Sequence, residues 1–247
     1  MNINKQECRK TKDMKRERRL NGEIKAIAFD ADDTLWVNEP FFRDTEQEFL
    51  KLISDYTDKD KTFDKLYATE VNNISKYGYG IKGFILSMIE TALEVTNNQI
   101  PGEAINKIIN LGKEMINKPV DLIDGIESVL KQLQGQYTLI IATKGDLLDQ
   151  ERKLKKSALE KYFHHIEVMS DKTEINYQRL LKNLGIEAKN FLMVGNSVKS
   201  DIMPVINIGG QAIHVPFYTT WSHEEITDAP EDKFITINKV SEMLQLL

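Results

Sequence analysis

Short apolar runs, each followed at once by polar side chains, constrain this chain more than any other feature. Residues 24–29 (Ile-Lys-Ala-Ile-Ala-Phe) lead directly into Asp30-Ala-Asp-Asp-Thr34. Residues 137–142 lead into Thr143, Lys144 and Asp146, and residues 166–169 lead toward Lys172. Residues 191–194 lead into Gly195, Asn196, Ser197 and Asp201, and residues 211–215 form a fifth run. Their length and β-branched content fit strands buried on both faces of a sheet. Between them lie helical patterns. One is apolar at Ile126, Val129, Leu130 and Leu133, and another spans 177–184 with Gly185 as its stop. Strands alternating with helices imply an α/β fold with a doubly wound parallel sheet.

Residues 39–118 break this rhythm. They hold four helical stretches, near 41–56, 61–76, 82–97 and 102–117, and no convincing strand. The separators Asp58-Lys-Asp60, Tyr77-Gly-Tyr-Gly80 and Gln99-Ile-Pro-Gly102 are turn signals. The chain therefore divides into a core, residues 21–38 and 119–247, and an inserted all-helical domain, residues 39–118. Pro40 and Pro119 mark the two crossings. Residues 1–20 carry eight Lys or Arg against three acidic residues, and this basic segment is expected to be an unpacked extension.

Composition narrows the function classes. The net charge of −5 leaves −10 on the chain beyond residue 20, which argues against nucleic acid as the main partner. No apolar run is long enough for a transmembrane helix, and the first residues lack the apolar centre of a signal peptide. A soluble cytoplasmic protein is expected. The single cysteine, Cys8, has no partner for an intrachain disulfide, as suits a reducing compartment.

In a parallel sheet, the polar groups after the strands share the carboxyl edge, where open α/β sheets bind ligands. Phosphoryl transfer calls for such a set. A carboxylate can attack phosphorus and form an acyl phosphate, a second acid can protonate the departing oxygen, and a lysine with a hydroxyl can hold the phosphoryl oxygens. Clustered carboxylates repel a phosphate, so a hard cation such as Mg²⁺ is implied. His164-His165 lacks further ligands at metal spacing, and Lys199-Ser200 lacks the Gly-Lys-Ser of a nucleotide-binding loop.

Four segments in order carry a family likeness: Phe29-Asp-Ala-Asp-Asp-Thr-Leu35, Ile141-Ala-Thr143, Asp171-Lys172 and Val194-Gly-Asn-Ser-Val-Lys-Ser-Asp201. Over residues 24–247 the sequence resembles the haloacid dehalogenase-like hydrolases of the phosphatase type, with a helical cap inserted after the first motif. The resemblance implies Asp30 as nucleophile and magnesium ligand. It implies Asp32 as general acid and then base, with its main-chain carbonyl on the metal. Thr143 and Lys172 hold the phosphoryl group, with Lys144 beside them, and Asp201 is a further metal ligand. Asn196 stands where the family often has an acidic residue, and its amide oxygen is the corresponding candidate ligand. The expected reaction is Mg²⁺-dependent hydrolysis of a small phosphorylated metabolite. A phosphosugar mutase and an inactive phosphate-binding module are the alternatives on the same core. In the helical insert, Tyr77, Tyr79 and Lys82 are candidates for substrate contact, and Trp36 is expected to pack at the crossing.

Overall fold

The first apolar run forms β1 (Ala26–Phe29), all four of whose side chains are buried. The computed structural model describes residues 20–226, 229–230 and 232–247, with backbone alone at Lys59 and Asp60. Around β1 assemble β2 (Thr138–Lys144), β3 (His165–Met169), β4 (Phe191–Gly195), β5 (Gln211–His214) and the two-residue β6 (Ile235–Thr236). The sheet has the order β3-β2-β1-β4-β5-β6, and every pairing is parallel.

Alternation along each strand divides the core between two faces. Ile27 and Phe29 join Leu139, Ile141, Leu192 and Val194 against the helix at Ile126–Leu133. Ala26 and Ala28 join Ile140, Ala142, Phe191 and Met193 against the helix at Glu174–Leu184. Helices thus cover both sides, as the near-continuous apolar runs require.

The strand succession β1-β2-β3 grows in one direction, and β4 then returns to the other flank of β1. The carboxyl ends of β1 and β4 consequently flank the crevice where the winding reverses, the usual ligand position in such sheets. Asp30 N donates to Val194 O at 2.9 Å and locks these two ends in register.

Between β1 and β2 the chain forms four helices, α1 (Glu39–Ile53), α2 (Lys59–Tyr77), α3 (Ile81–Val95) and α4 (Gly102–Asn117). The four stretches expected from periodicity are all present. They share their own apolar cluster, which includes Phe49, Ile53, Leu66, Met88 and Ile108. Pro40 occupies the first turn of α1, where a missing N–H has no helical acceptor to lose. The two crossings run side by side, with Val37 N donating to Asp121 O at 2.9 Å and Ile123 N to Leu35 O at 3.0 Å.

Completing the core are α5 (Ile126–Leu133), α6 (Leu147–Ser157), α7 (Glu174–Leu184), a π turn at Val198–Ile202 and the short α8 (Met203–Asn207). The basic segment lies outside the described residues apart from Leu20, which packs against the first core cluster. Among the described residues, no helix is long and apolar enough to cross a membrane.

Candidate active site

Asp30 is the residue immediately after β1, and the sheet delivers it to the crevice with little solvent contact. The chain then turns sharply. Leu35 N and Trp36 N both donate to Ala31 O, and Asp33 adopts φ 62°, a left-handed conformation that Asp tolerates better than most residues. The Asp33 carboxylate accepts from the main-chain N–H groups of Asn38, at 2.8 Å, and Glu39, at 3.0 Å. It thereby caps α1 and fixes how that helix leaves the sheet.

Lys172 lies in the loop between β3 and α7, just before Thr173, whose hydroxyl caps α7. Its ammonium is buried and bonded to Asp30 Oδ1 and, at 2.6 Å, to Asp201 Oδ1. Asp201, on the π turn, is fully buried and takes a second bond from Ser197 N at 3.0 Å through Oδ2. Burial works against the Lys172 charge, but Asp201 and Asp30 outweigh it and raise its pKa. Burial, joined by the charges of Asp201 and Asp32, pushes Asp30 up to about 7 against the opposing pull of Lys172.

Two carboxylates on one ammonium leave a buried negative surplus, which a cation would offset. Thr34 Oγ1 lies 3.3 Å from both Asp30 Oδ2 and Asn196 Oδ1, and its single proton serves one of them at a time. The other oxygen is left short of a positive partner. An all-oxygen set around Asp30 and Asn196 suits a hard divalent cation. No group of three His, Cys, Asp or Glu side chains converges as a metal site among the described residues. The fit therefore relies on the Asn196 amide and on main-chain oxygen. Asp201 Oδ1 accepts from Lys172 and Oδ2 from Ser197 N, so Asp201 ties the lysine to the loop at Ser197.

Asp32 is held by three donors. Trp36 Nε1 donates to Oδ1 at 2.7 Å, Lys153 Nζ to Oδ1 at 2.9 Å and Gln150 Nε2 to Oδ2 at 2.9 Å. Trp36 is the buried packing residue expected at the crossing and also a hydrogen-bond donor. Lys153 and Gln150, three residues apart on one face of α6, escaped the sequence reading because that helix carries no apolar stripe.

Thr143, the last residue but one of β2, donates its hydroxyl to Lys144 O at 3.1 Å and lines the same cavity as Asp30. The Lys144 ammonium turns to Ser200 Oγ at 2.9 Å and Glu224 Oε1 at 2.5 Å, and lies 4.2 Å from the centre of the Tyr79 ring. Glu224 also receives the Ser197 hydroxyl at 2.7 Å. No pattern around residue 224 announced it, because its partners come from two distant strand ends. Of the candidates in the helical insert, Tyr79 lines the cavity. Lys82 pairs with Asp146 at 2.9 Å, and Tyr77 instead bonds Glu90 at 2.6 Å.

A family model for haloacid dehalogenase-like hydrolases matches residues 24–209. The chain belongs to that family. A haloacid dehalogenase-like family hydrolase from Xanthomonas campestris is 33% identical, with 92% of this chain and 97% of that one covered and a TM-score of 0.78. More distant structures share the fold. A HAD hydrolase from Bacillus subtilis bound to magnesium is 18% identical, covering 92% and 99% of the two chains at a TM-score of 0.61. A 2-haloacid dehalogenase from Pseudomonas syringae, also 18% identical, covers 90% and 97% at 0.61. No curated protein matched the sequence. This haloacid dehalogenase-like hydrolase is thus an enzyme with its polar groups gathered at the edge where the sheet reverses its winding.

Proposed function

We propose that this enzyme is a Mg²⁺-dependent phosphohydrolase that cleaves a small phosphomonoester through an aspartyl-phosphate on Asp30. The observation that carries the reading is Asp32, a second carboxyl two residues from the nucleophile and oriented by Lys153, Gln150 and Trp36. Displacing halide from carbon releases an anion that needs no proton, whereas an alkoxide does.

Asp30 attacks phosphorus as the bond to the ester oxygen breaks, and Asp32 supplies the proton to that oxygen. Water then attacks the acyl phosphate, giving its proton to Asp32, and inorganic phosphate leaves with Asp30 restored. The three donors orient the Asp32 carboxylate, which takes the proton from water in the second step. In the first step Asp32 carries the proton and gives up one of these bonds. Lys172 and Thr143 hold the phosphoryl oxygens, and Asp201 keeps Lys172 in place. Asp30, Asn196 and the Asp32 main-chain carbonyl, with Asp201 directly or through water, would hold Mg²⁺, which when bound would supply charge neutralisation for the incoming phosphate. The helical block, residues 39–118, serves as the cap over the site.

Phosphate release from p-nitrophenyl phosphate, measured with Mg²⁺ and with EDTA beside Asp30→Asn, tests this. Magnesium-dependent turnover that falls about a thousandfold or more in the variant is the expected result. Metal-independent chloride release from 2-chloropropionate, with no phosphate release, overturns it.

A further inference from the structure

The cavity of about 190 Å³ that reaches Asp30 is lined on its other side by α1, α2 and α3, and the chemistry of that wall is lopsided. Glu39, Glu46 and Glu70 face it together with one cation, Arg43. Arg43 is already engaged, with Nε 2.8 Å from Glu39 Oε1 and Nη1 3.0 Å from Glu46 Oε2. Glu70, on α2, is left over. Its Oε1 is buried and has no hydrogen-bond partner among the described residues. Burial, with Glu46 and Glu39 adding to it and Arg43 opposing, raises Glu70 to about 8. Phe42 and Phe84, 5.2 Å apart between ring centres, supply the apolar part of the same wall.

A buried acceptor without a donor is costly, and so is a cluster of carboxylates exceeding its cations. A leaving group bearing a second anionic group would face Glu39 and Glu46, an arginine already bonded to both, and a Glu70 carboxyl that its charge would keep from ionising. An ammonium would meet the opposite, a buried carboxyl without a partner at Oε1 that ionises to pair with the cation, with aromatic surface beside it. Resting on the phosphohydrolase reading, we propose that the enzyme selects phosphomonoesters whose alcohol carries an ammonium group, received by Glu70 with Glu39 and Glu46. The class is the amino-alcohol and amino-sugar phosphates. Discrimination comes as much from repelling anions as from attracting the cation.

The test is kcat/KM, with Mg²⁺, for three matched series of phosphates of graded chain length, ω-aminoalkyl, ω-hydroxyalkyl and ω-carboxyalkyl. At the chain length that spans the cavity, the amine is expected to exceed the alcohol by about tenfold or more and the carboxylate by more still. In Glu70→Gln the amine-to-alcohol ratio is expected to fall toward one, while Glu70→Asp retains part of it. The wild-type series reads the preference even where a variant fails to fold. Equal use of amine and alcohol at every length, or preference for the carboxylate, overturns the inference and leaves the phosphohydrolase reading standing. Absence of phosphate release from every ester, p-nitrophenyl phosphate included, overturns both.

Discussion

Three side chains that no motif marks, Gln150, Lys153 and Glu224, set the surroundings of Asp32 and Lys144. Asp32 is positioned by Gln150 and Lys153, which lie 118 and 121 residues further along the chain. Lys153→Met removes one donor to Asp32 and its bond to Asn38. It is expected to lower kcat by about ten- to a hundredfold with little change in KM, since the loss falls on proton transfer rather than binding. Steady-state kinetics decides, and a change confined to KM would count against the role. Glu224 offers a second test. Burial alone would raise its pKa, but Lys144 and the hydroxyls of Ser200 and Ser197 bring it down to about 2. A lowered folded-state value stabilises the fold fully above the ordinary carboxylate range and is lost as pH falls through 2. Glu224→Gln is expected to cost about 2 kcal/mol at neutral pH, allowing for partial solvent contact, and to flatten the acid limb of the melting curve. Thermal melts between pH 2 and pH 7 measure both effects.

At the scale of elements, the close fit of β4 to the π turn matters most. A Cβ on Gly195 would lie 2.3 Å from Asp201 Oδ2, so Gly195→Ala must push away the carboxylate that holds Lys172 and Ser197 N. A stability loss of about 1–3 kcal/mol is expected, with a fall in kcat/KM beyond what unfolding explains. Melts and kinetics on the same preparation separate the two, and unchanged kinetics would remove the argument. The long periodic elements were legible from residues 41–117 because each helix carries an apolar stripe. α6 was not legible, because its apolar side chains do not form a stripe. Leu147 and Leu148 are exposed, and Leu154 is the apolar side chain it buries. The π turn and α8 also went unseen, since at five residues each they are too short to show a periodic stripe.

The whole molecule joins two packing units through two adjacent crossings. The helical block has its own apolar cluster, and the hydrogen-bonded pairs Val37–Asp121 and Ile123–Leu35 bring its entry and exit together. Replacing residues 39–118 with a short Gly-Ser linker is therefore expected to leave a sheet domain that melts cooperatively. It should retain slow p-nitrophenyl phosphate turnover and lose discrimination among substrates. Calorimetry and a substrate panel check this, and a core without a cooperative transition would show that the block is part of a single folding unit. Lys82–Asp146, a partly exposed ion pair between the units, contributes little to holding them together by itself.

Local sequence alone was enough to determine the parallel sheet, the helical insert and the four polar clusters. Buried strands need continuous apolar runs, helices need a periodic stripe, and carboxyl-edge groups follow their strands directly. Proximity across the fold was decided by tertiary structure. The donors to Asp32, the clamp of Glu224 on Lys144 and the carboxylate-rich wall around Glu70 each join residues from separate elements. Their pKa values and charge balance depend on burial and distance, which no single stretch of chain carries.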